Sequence, residues 1–463
     1  MIPDFLTIAH AAKLIQKREL SPVELVENCL QRIERIDGQI NSFIHILADN
    51  ARSAAHLAER EIASGHYRGL LHGIPIGLKD VYETADIPTT CHSKIMMNHI
   101  PKADAQSVIR LKQAGAIIMG KLATHEFAFG GPSFDLPWPP ARNPWDITRF
   151  TGGSSSGTGA SVAAGLVLGG AASDTGGSIR TPAAYCGVAG IKPTFGLISR
   201  KGILPLSFSL DHAGLMAWTA EDCAILLQSM AGFDSEDPVS IDHPIPDYRS
   251  SLTGDVKGIR VGFLRHFYTT DAAAANTPTC DAIDAAVKKL EEMGCSVHEI
   301  HLSPLTEWAA CGTIIMMAEA YAIHEANLRT RFMDYGEVFR NRMALAGLIT
   351  SADYIQATRR RRELIDEFER IMTNFDVILT AVVRNEAPQI EMVGKFSIFE
   401  KPLLTMPFNV TGTPAMSVCC GYTETGLPLA MQIIGKRFDD ATVLRVADAY
   451  ERCTPWRQRR PLM

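Results

Sequence analysis

Apolar positions along this chain switch repeatedly between two periods, and the switching predicts the fold class. Ser21-Pro22-Val23-Glu24 reads as a helix start: a serine cap, a proline in the first turn and a glutamate at capping-box spacing. Leu25, Val26, Cys29, Leu30 and Ile33 then recur at the helical period. A second helix is expected over 50–64, stopped at Gly65. Ile74-Pro75-Ile76-Gly77-Leu78 is a short apolar run of strand type that delivers Lys79 to its end. An amphipathic helix over 105–114 ends at Gly115, and 116–120 is the strand behind it. The prolines of 134–144 mark a loop.

The same signals continue downstream. They give a strand and turn at 187–194, a helix at 219–232 and a polar, proline-bearing loop or crossover at 234–253. A strand at 258–263, a helix at 281–294 and a strand at 296–302 follow. A long charged helix over 353–373 precedes a strand at 377–379. Strands at 413–418 and 428–434 and a helix over 441–452 close the chain. No internal repeat is present, and strands alternating with helices predict an α/β fold.

The stretch from Thr151 to Ala183 fits neither period. It holds two serine-bearing glycine turns, Gly152-Gly153-Ser154-Ser155-Ser156-Gly157 and Asp174-Thr175-Gly176-Gly177-Ser178, separated by small apolar residues. Glycine lets backbone approach a ligand closely. Two such turns predict a pocket lined by N–H groups and hydroxyls, suited to negative charge developing in an acyl-transfer transition state. Gly157 is followed by Thr158, so the lysine of a phosphate loop is absent, and the glycines do not complete a dinucleotide fingerprint. His125-Glu126 lacks the second histidine of a zinc helix, and Cys91-His92 reads better as packing than as a metal site.

These motifs resemble the amidase signature family. The resemblance rests on the first turn, on Asp174-x-Gly176-x-Ser178-Ile179-Arg180-x-Pro182, and on the upstream Gly73-Ile74-Pro75-Ile76-Gly77-Leu78-Lys79-Asp80. It extends from the N-terminal helices to Pro461 and is weakest over 232–389. It implies a large mixed, mostly parallel β-sheet sandwiched between helical layers. It further implies one amidase domain over 1–463, made of N-terminal helices (1–65), a signature core (66–232), a more variable part (233–390) and a C-terminal return to the core (391–463). Carried over residue by residue, the family's triad is Ser178 as nucleophile, Ser154 as the cis-serine and Lys79 as the base. The N–H groups of Thr175, Gly176, Gly177 and Ser178 are then the oxyanion hole, with Ser155, Asp174 and Arg180 behind them. A lysine base needs burial, which disfavours its ammonium form. Asp80 must therefore point away from Lys79.

Composition narrows the picture further. A net charge of −6 gives no reason to expect nucleic acid, and acidic neighbours offset the one dense basic run, Arg359 to Arg362, so a solvated helix face is expected there. Ten cysteines without a Cys-x-x-Cys pair, Cys419 and Cys420 adjacent, predict reduced and mostly buried thiols. The first 20 residues show no signal peptide, and no apolar run reaches membrane-spanning length, so a cytoplasmic protein is expected.

The expected activity is hydrolysis of a carboxamide or related C–N bond (amide, anilide or carbamate) through a seryl acyl-enzyme, without metal or cofactor. The expected partner is a small-molecule amide, with self-association into a homodimer left open. Phe129, Phe134, Trp138, Met316, Met317 and Phe408 are the candidate walls for an apolar acyl group. The alternative is the glutaminase component of a tRNA-dependent amidotransferase, which acts only with partner subunits. Leu404-Thr405-Met406-Pro407-Phe408-Asn409 resembles that component, but Lys401, Pro402 and Leu403 stand where its aspartate for the glutamine amino group is expected.

Overall fold

The computed structural model describes residues 5–270 and 274–463. Residues 1–4 of the N-terminal part and 271–273 of the variable part lie outside the described residues. Among the described residues thirteen strands form, numbered in chain order: β1 Phe43–Ile46, β2 Pro75–Lys79, β3 Ile117–Leu122, β4 Arg142–Asn143, β5 Asp146–Phe150, β6 Gly169–Asp174, β7 Ala189–Lys192, β8 His212–Ala217, β9 Arg260–Phe263, β10 Ser296–Glu299, β11 Val377–Ala381, β12 Ala415–Tyr422 and β13 Pro428–Gly435. Eleven of them make one mixed sheet in the order β1-β3-β2-β6-β8-β7-β12-β13-β11-β9-β10. Parallel pairing is concentrated in two blocks, β3-β2-β6 and β11-β9-β10. The strands between them pair antiparallel.

Most of the expected helices appear within a few residues of their predicted bounds. Helix Pro22–Ile40 starts with both halves of the capping box: Val23 donates to Ser21 Oγ at 3.0 Å, and Ser21 N–H donates to Glu24 at 3.2 Å. Helices Ala220–Met230 and Asp440–Arg452 pack on each other and on the central strands. Three departures have physical causes. Helix Leu305–Thr330 escaped the periodicity reading because apolar residues surround it instead of lining one stripe. The proline-rich 134–144 stretch ends in a short ribbon, β4 against β5, because Pro144 falls in the turn between the two strands and takes no ladder N–H from either. The basic run is not simply solvated: Arg361 Nε donates to the Val410 carbonyl at 2.9 Å, and Arg360 pairs with Glu307 and Glu363.

All ten cysteines are free, and eight are buried. No helix among the described residues is long and apolar enough to cross a membrane.

The sheet positions the two glycine turns at strand ends. β2 ends at Lys79 and, beside it, β6 ends at Asp174. Helix Ser156–Ala163 leaves the first turn and lies directly on β2, β3 and β6. Only small residues allow that approach: a Cβ on Gly157 would sit 2.4 Å from both Ala123 N and Ser42 O, backbone atoms that cannot swing aside.

This contact predicts the sign of a substitution. Gly157→Ala in an exposed helix would add about 1 kcal/mol of stability. Here overpacking against backbone should remove about 1–3 kcal/mol instead. Urea unfolding of the two proteins checks this, and an equal or higher midpoint for Gly157→Ala would show that the approach is looser than described.

Candidate active site

Strand alternation separates two adjacent charged residues. Successive side chains of a strand point to opposite faces, so Lys79 and Asp80, at the end of β2, diverge. Asp80 Oδ1 lies 3.2 Å from Lys121 Nζ, and Asp80 Oδ2 accepts from Thr90 N–H at 2.9 Å. Lys121 also donates to the Tyr82 carbonyl at 2.6 Å and to Thr89 Oγ1 at 2.7 Å. The carboxylate next to Lys79 in sequence is thus held by a different cation.

Lys79 itself is buried, and its hydrogen bonds go to two hydroxyls and, at 3.5 Å, to the Ser173 carbonyl, none of them a carboxylate. Nζ donates to Ser154 Oγ at 2.7 Å and to Ser173 Oγ at 2.9 Å. Burial pushes its pKa down to about 7, against the opposing pull of Asp174 and Asp211. An amine in that state can take a proton from Ser154 near neutrality.

Ser154 follows a cis Gly153–Ser154 peptide bond. Its carbonyl accepts from His125 N–H at 3.0 Å. The His125 ring explains the glycine before it, because a Cβ at 153 would lie 2.0 Å from His125 Cε1. His125 stacks on Phe150, and its Nδ1 bonds the Gly130 carbonyl at 2.8 Å. Burial pushes its pKa down to about 3, so it stays neutral beside Lys79.

The second turn is gripped from inside by Asp174. One carboxylate oxygen accepts from Gly177 N–H at 2.8 Å, Arg180 Nη2 at 2.9 Å and Asn409 Nδ2 at 2.9 Å. The other accepts from Ile179 N–H at 3.1 Å and Arg180 Nε at 3.1 Å. Burial alone would raise the Asp174 carboxyl, but Arg180 overcomes it and holds the group well below the usual carboxylate range. Arg180 then ties the turn to the C-terminal return through the Thr405 carbonyl (2.9 Å) and Gln432 (3.1 Å). The Gly177 N–H, expected as an oxyanion donor, is already spent on Asp174. Those of Gly176 and Ser178 have no acceptor among the described residues. Ser155 N–H donates to the Ser178 carbonyl at 3.2 Å and so joins the two turns, while its hydroxyl reaches the Ser173 carbonyl at 3.2 Å.

Gly153, Thr175, Gly176, Gly177 and Ser178 line a cavity of about 380 Å³, to which Ser178 is partly open. Phe129 and Met316 are in its wall, as expected. The other apolar candidates are not. Phe134 is 58% exposed on its loop. Trp138 packs edge-on against His45 and His92. Phe408 is in the core against Phe368, and Met317 is buried away from the cavity. Size and apolarity selected these residues, and the core claims such side chains as readily as a pocket does. The wall holds cations that sequence reading missed: Arg342, Arg384 and Lys401. Arg342 is fully buried, and burial pushes its pKa down to about 9. Its Nε donates to the Lys395 carbonyl at 2.6 Å, but its Nη1 has no partner among the described residues. No local motif flags it; the only signal is a basic residue on helix Glu337–Ala346, far downstream of the glycine turns.

A family model, Amidase, matches residues 24–444. The chain belongs to the amidase signature family. Among curated relatives, the A-type component of the glutamyl-tRNA(Gln) amidotransferase of Roseiflexus sp. (strain RS-1) is 37% identical, over 98% of this chain and 98% of that protein. Two solved structures share the amidase fold along nearly the whole chain. One, from a vestigial protein complex described as revealing the evolutionary origins of an s-triazine catabolic enzyme, has a TM-score of 0.91 at 30% identity, covering 97% of this chain and 98% of that one. The other, peptide amidase from Stenotrophomonas maltophilia, has a TM-score of 0.87 at 28% identity, covering 98% of each chain.

Proposed function

We propose that this amidase cleaves an amide-type C–N bond through a seryl acyl-enzyme, with Ser178 as nucleophile and Ser154 and Lys79 as a two-way proton relay. The observation that carries the reading is the 2.7 Å bond from a buried Lys79 amine to Ser154 Oγ, with no carboxylate among the described residues hydrogen-bonded to that amine. Ser178 Oγ bonds to the substrate carbonyl carbon as its proton passes to Ser154 and the Ser154 proton passes to Lys79. The oxyanion takes the Gly176 and Ser178 N–H groups, with Thr175 beside them. When the intermediate collapses, the proton returns from Lys79 through Ser154 to the departing nitrogen and the C–N bond breaks. Water then repeats the sequence and frees the acid.

The pocket points to the substrate class. A buried guanidinium without a carboxylate partner is costly unless a ligand supplies the anion. Arg342, with Arg384 and Lys401 in the same wall, favours an amide that carries an anionic group.

A second reading has the curated relatives behind it: a glutaminase component of a tRNA-dependent amidotransferase, working with partner subunits. Further relatives of the same name are 36–38% identical over nearly the full chain. Sequence similarity therefore supports this narrower reading more strongly than a free-standing amidase. Glutamine, with its carboxylate, also suits Arg342. The Lys401-Pro402-Leu403 stretch counts the other way.

Two outcomes follow. With a matched amide and ester of one acyl group, Lys79→Ala should lose at least about a hundredfold more kcat/KM on the amide, since only the amine must be protonated as it leaves. Equal losses on both would remove Lys79 from the relay. For the pocket, an anionic amide such as succinamate should exceed its methyl ester in kcat/KM by about 10–100-fold, and Arg342→Gln should erase the preference. Run on the chain alone, with glutamine as comparator, the same assay separates the readings. Turnover of anionic amides by the isolated chain supports the hydrolase. Glutamine turnover that appears only with amidotransferase partner subunits supports the second reading.

A further inference from the structure

One carboxylate next to the glycine turns has no part in the steps above. Asp211 lies in the loop before β8. Its Oδ1 accepts from Thr175 Oγ1 at 2.6 Å, and its Oδ2 accepts from the N–H groups of Leu206 (2.8 Å) and Ser207 (3.0 Å). It forms no ion pair among the described residues. Arg200 comes close, but its Nη1 donates to the Phe208 carbonyl at 2.9 Å and to the Asp211 carbonyl at 3.2 Å. The loop itself is pinned to helix Leu305–Thr330. Glu319 on that helix accepts from Ser209 N–H at 3.0 Å and from the Ser207 and Ser209 hydroxyls, and Tyr354 completes its shell at 2.8 Å.

Asp211 and Ser173 line a second cavity of about 240 Å³, and Thr175, Leu206 and Ala128 border both this cavity and the substrate pocket. The Thr175–Asp211 bond is therefore part of the partition between them. On one side lies the turn that must present its amides to an oxyanion. On the other lies Ser173, whose hydroxyl accepts from Lys79.

We propose that Asp211 is a positioning residue for the amidase reaction: through Thr175 it fixes the turn 175–178, and its charge sets how readily Lys79 takes and gives up a proton. The inference rests on the reading of Ser178, Ser154 and Lys79 as the reacting groups. The charged and titratable groups acting on Lys79 are few. Asp174 is bound to Arg180. The Cys91 thiol is pushed far up by burial and stays protonated. His125 is neutral. Asp80 is bound to Lys121. Asp211 is the carboxylate among them without a salt bridge among the described residues. Burial raises its carboxyl, and its bonds from Thr175, Ser207 and Leu206 and the nearby Arg200 favour its anion, which in turn favours the protonated lysine.

The sign of the effect follows. Asp211→Asn removes the anion and keeps one acceptor oxygen, which can stay on the Leu206 and Ser207 N–H groups while the amide NH2 faces Thr175 Oγ1, so Lys79 loses its proton more easily. The acid limb of kcat/KM should move down by about half a pH unit or more, and the plateau should fall about tenfold as the turn loosens. Asp211→Glu should restore the limb. Thr175→Val keeps the charge and cuts the bond, so its plateau should fall about tenfold with the limb unmoved.

The experiment is the pH profile of kcat/KM for wild type and the three variants on one amide. Fluorophosphonate labelling of Ser178 is followed in parallel, with Ser178→Ala as control. An Asp211→Asn limb that coincides with wild type, or a Thr175→Val plateau equal to wild type, overturns the proposal. Should Asp211→Asn fail to fold, the Thr175→Val plateau decides. Labelling that persists in Ser178→Ala overturns the parent reading instead, and that result is recognisable before any Asp211 variant is compared.

Discussion

A lysine kept dry among hydroxyls is the constraint on which this site depends. A pKa near 7 in place of the ordinary 10.5 disfavours the ammonium form by about 5 kcal/mol. A single carboxylate hydrogen-bonded to Nζ would cancel much of that. Asp80, its neighbour in sequence, is occupied by Lys121, and Asp174 by Arg180; Asp211, which also acts on Lys79, is hydrogen-bonded to Thr175 and not to Nζ. Both pairs are fully buried. A buried ion pair is a poor source of stability, so the value of these two lies in what they withhold from Lys79.

The remainder of the architecture serves that arrangement. β2 and β6 run parallel, so Lys79 arrives beside the last residues of β6, where Ser173 is within reach of its Nζ and Asp174 follows. Small residues in β6 and helix Ser156–Ala163 let the serine turns lie on the sheet without intervening side chains. Arg180 connects the second turn to the C-terminal return, so residues more than two hundred positions apart are locked into one block. The turns are thereby held in place without a substrate, which is what the proposed stabilisation of an oxyanion requires.

How much of this was legible in the sequence follows from how local each feature is. Lys79 at a strand end, the small residues around Ser154 and Ser178, and the need for Asp80 to turn away all rest on neighbouring residues, and they were readable. The pocket wall was not. Phe134, Trp138 and Phe408 carry no local mark that tells a wall from a core. Arg342, Arg384 and Lys401 reach the cavity only because segments far along the chain fold over it. Asp211 is likewise silent in sequence: its meaning lies in the register that sets Asp174 opposite His212, which brings the neighbouring Asp211 to Thr175. Helix Leu305–Thr330, apolar all round, shows the same limit at the level of secondary structure.

The central claim is that the Lys79 amine is substantially neutral near pH 7. Lysine labelled with ¹³C at Cε and ¹⁵N at Nζ, with the Lys79 signal assigned through Lys79→Arg, allows that amine to be titrated directly in the resting protein. The account predicts a midpoint near 7. A Lys79 signal that titrates near the ordinary 10.5 would contradict it.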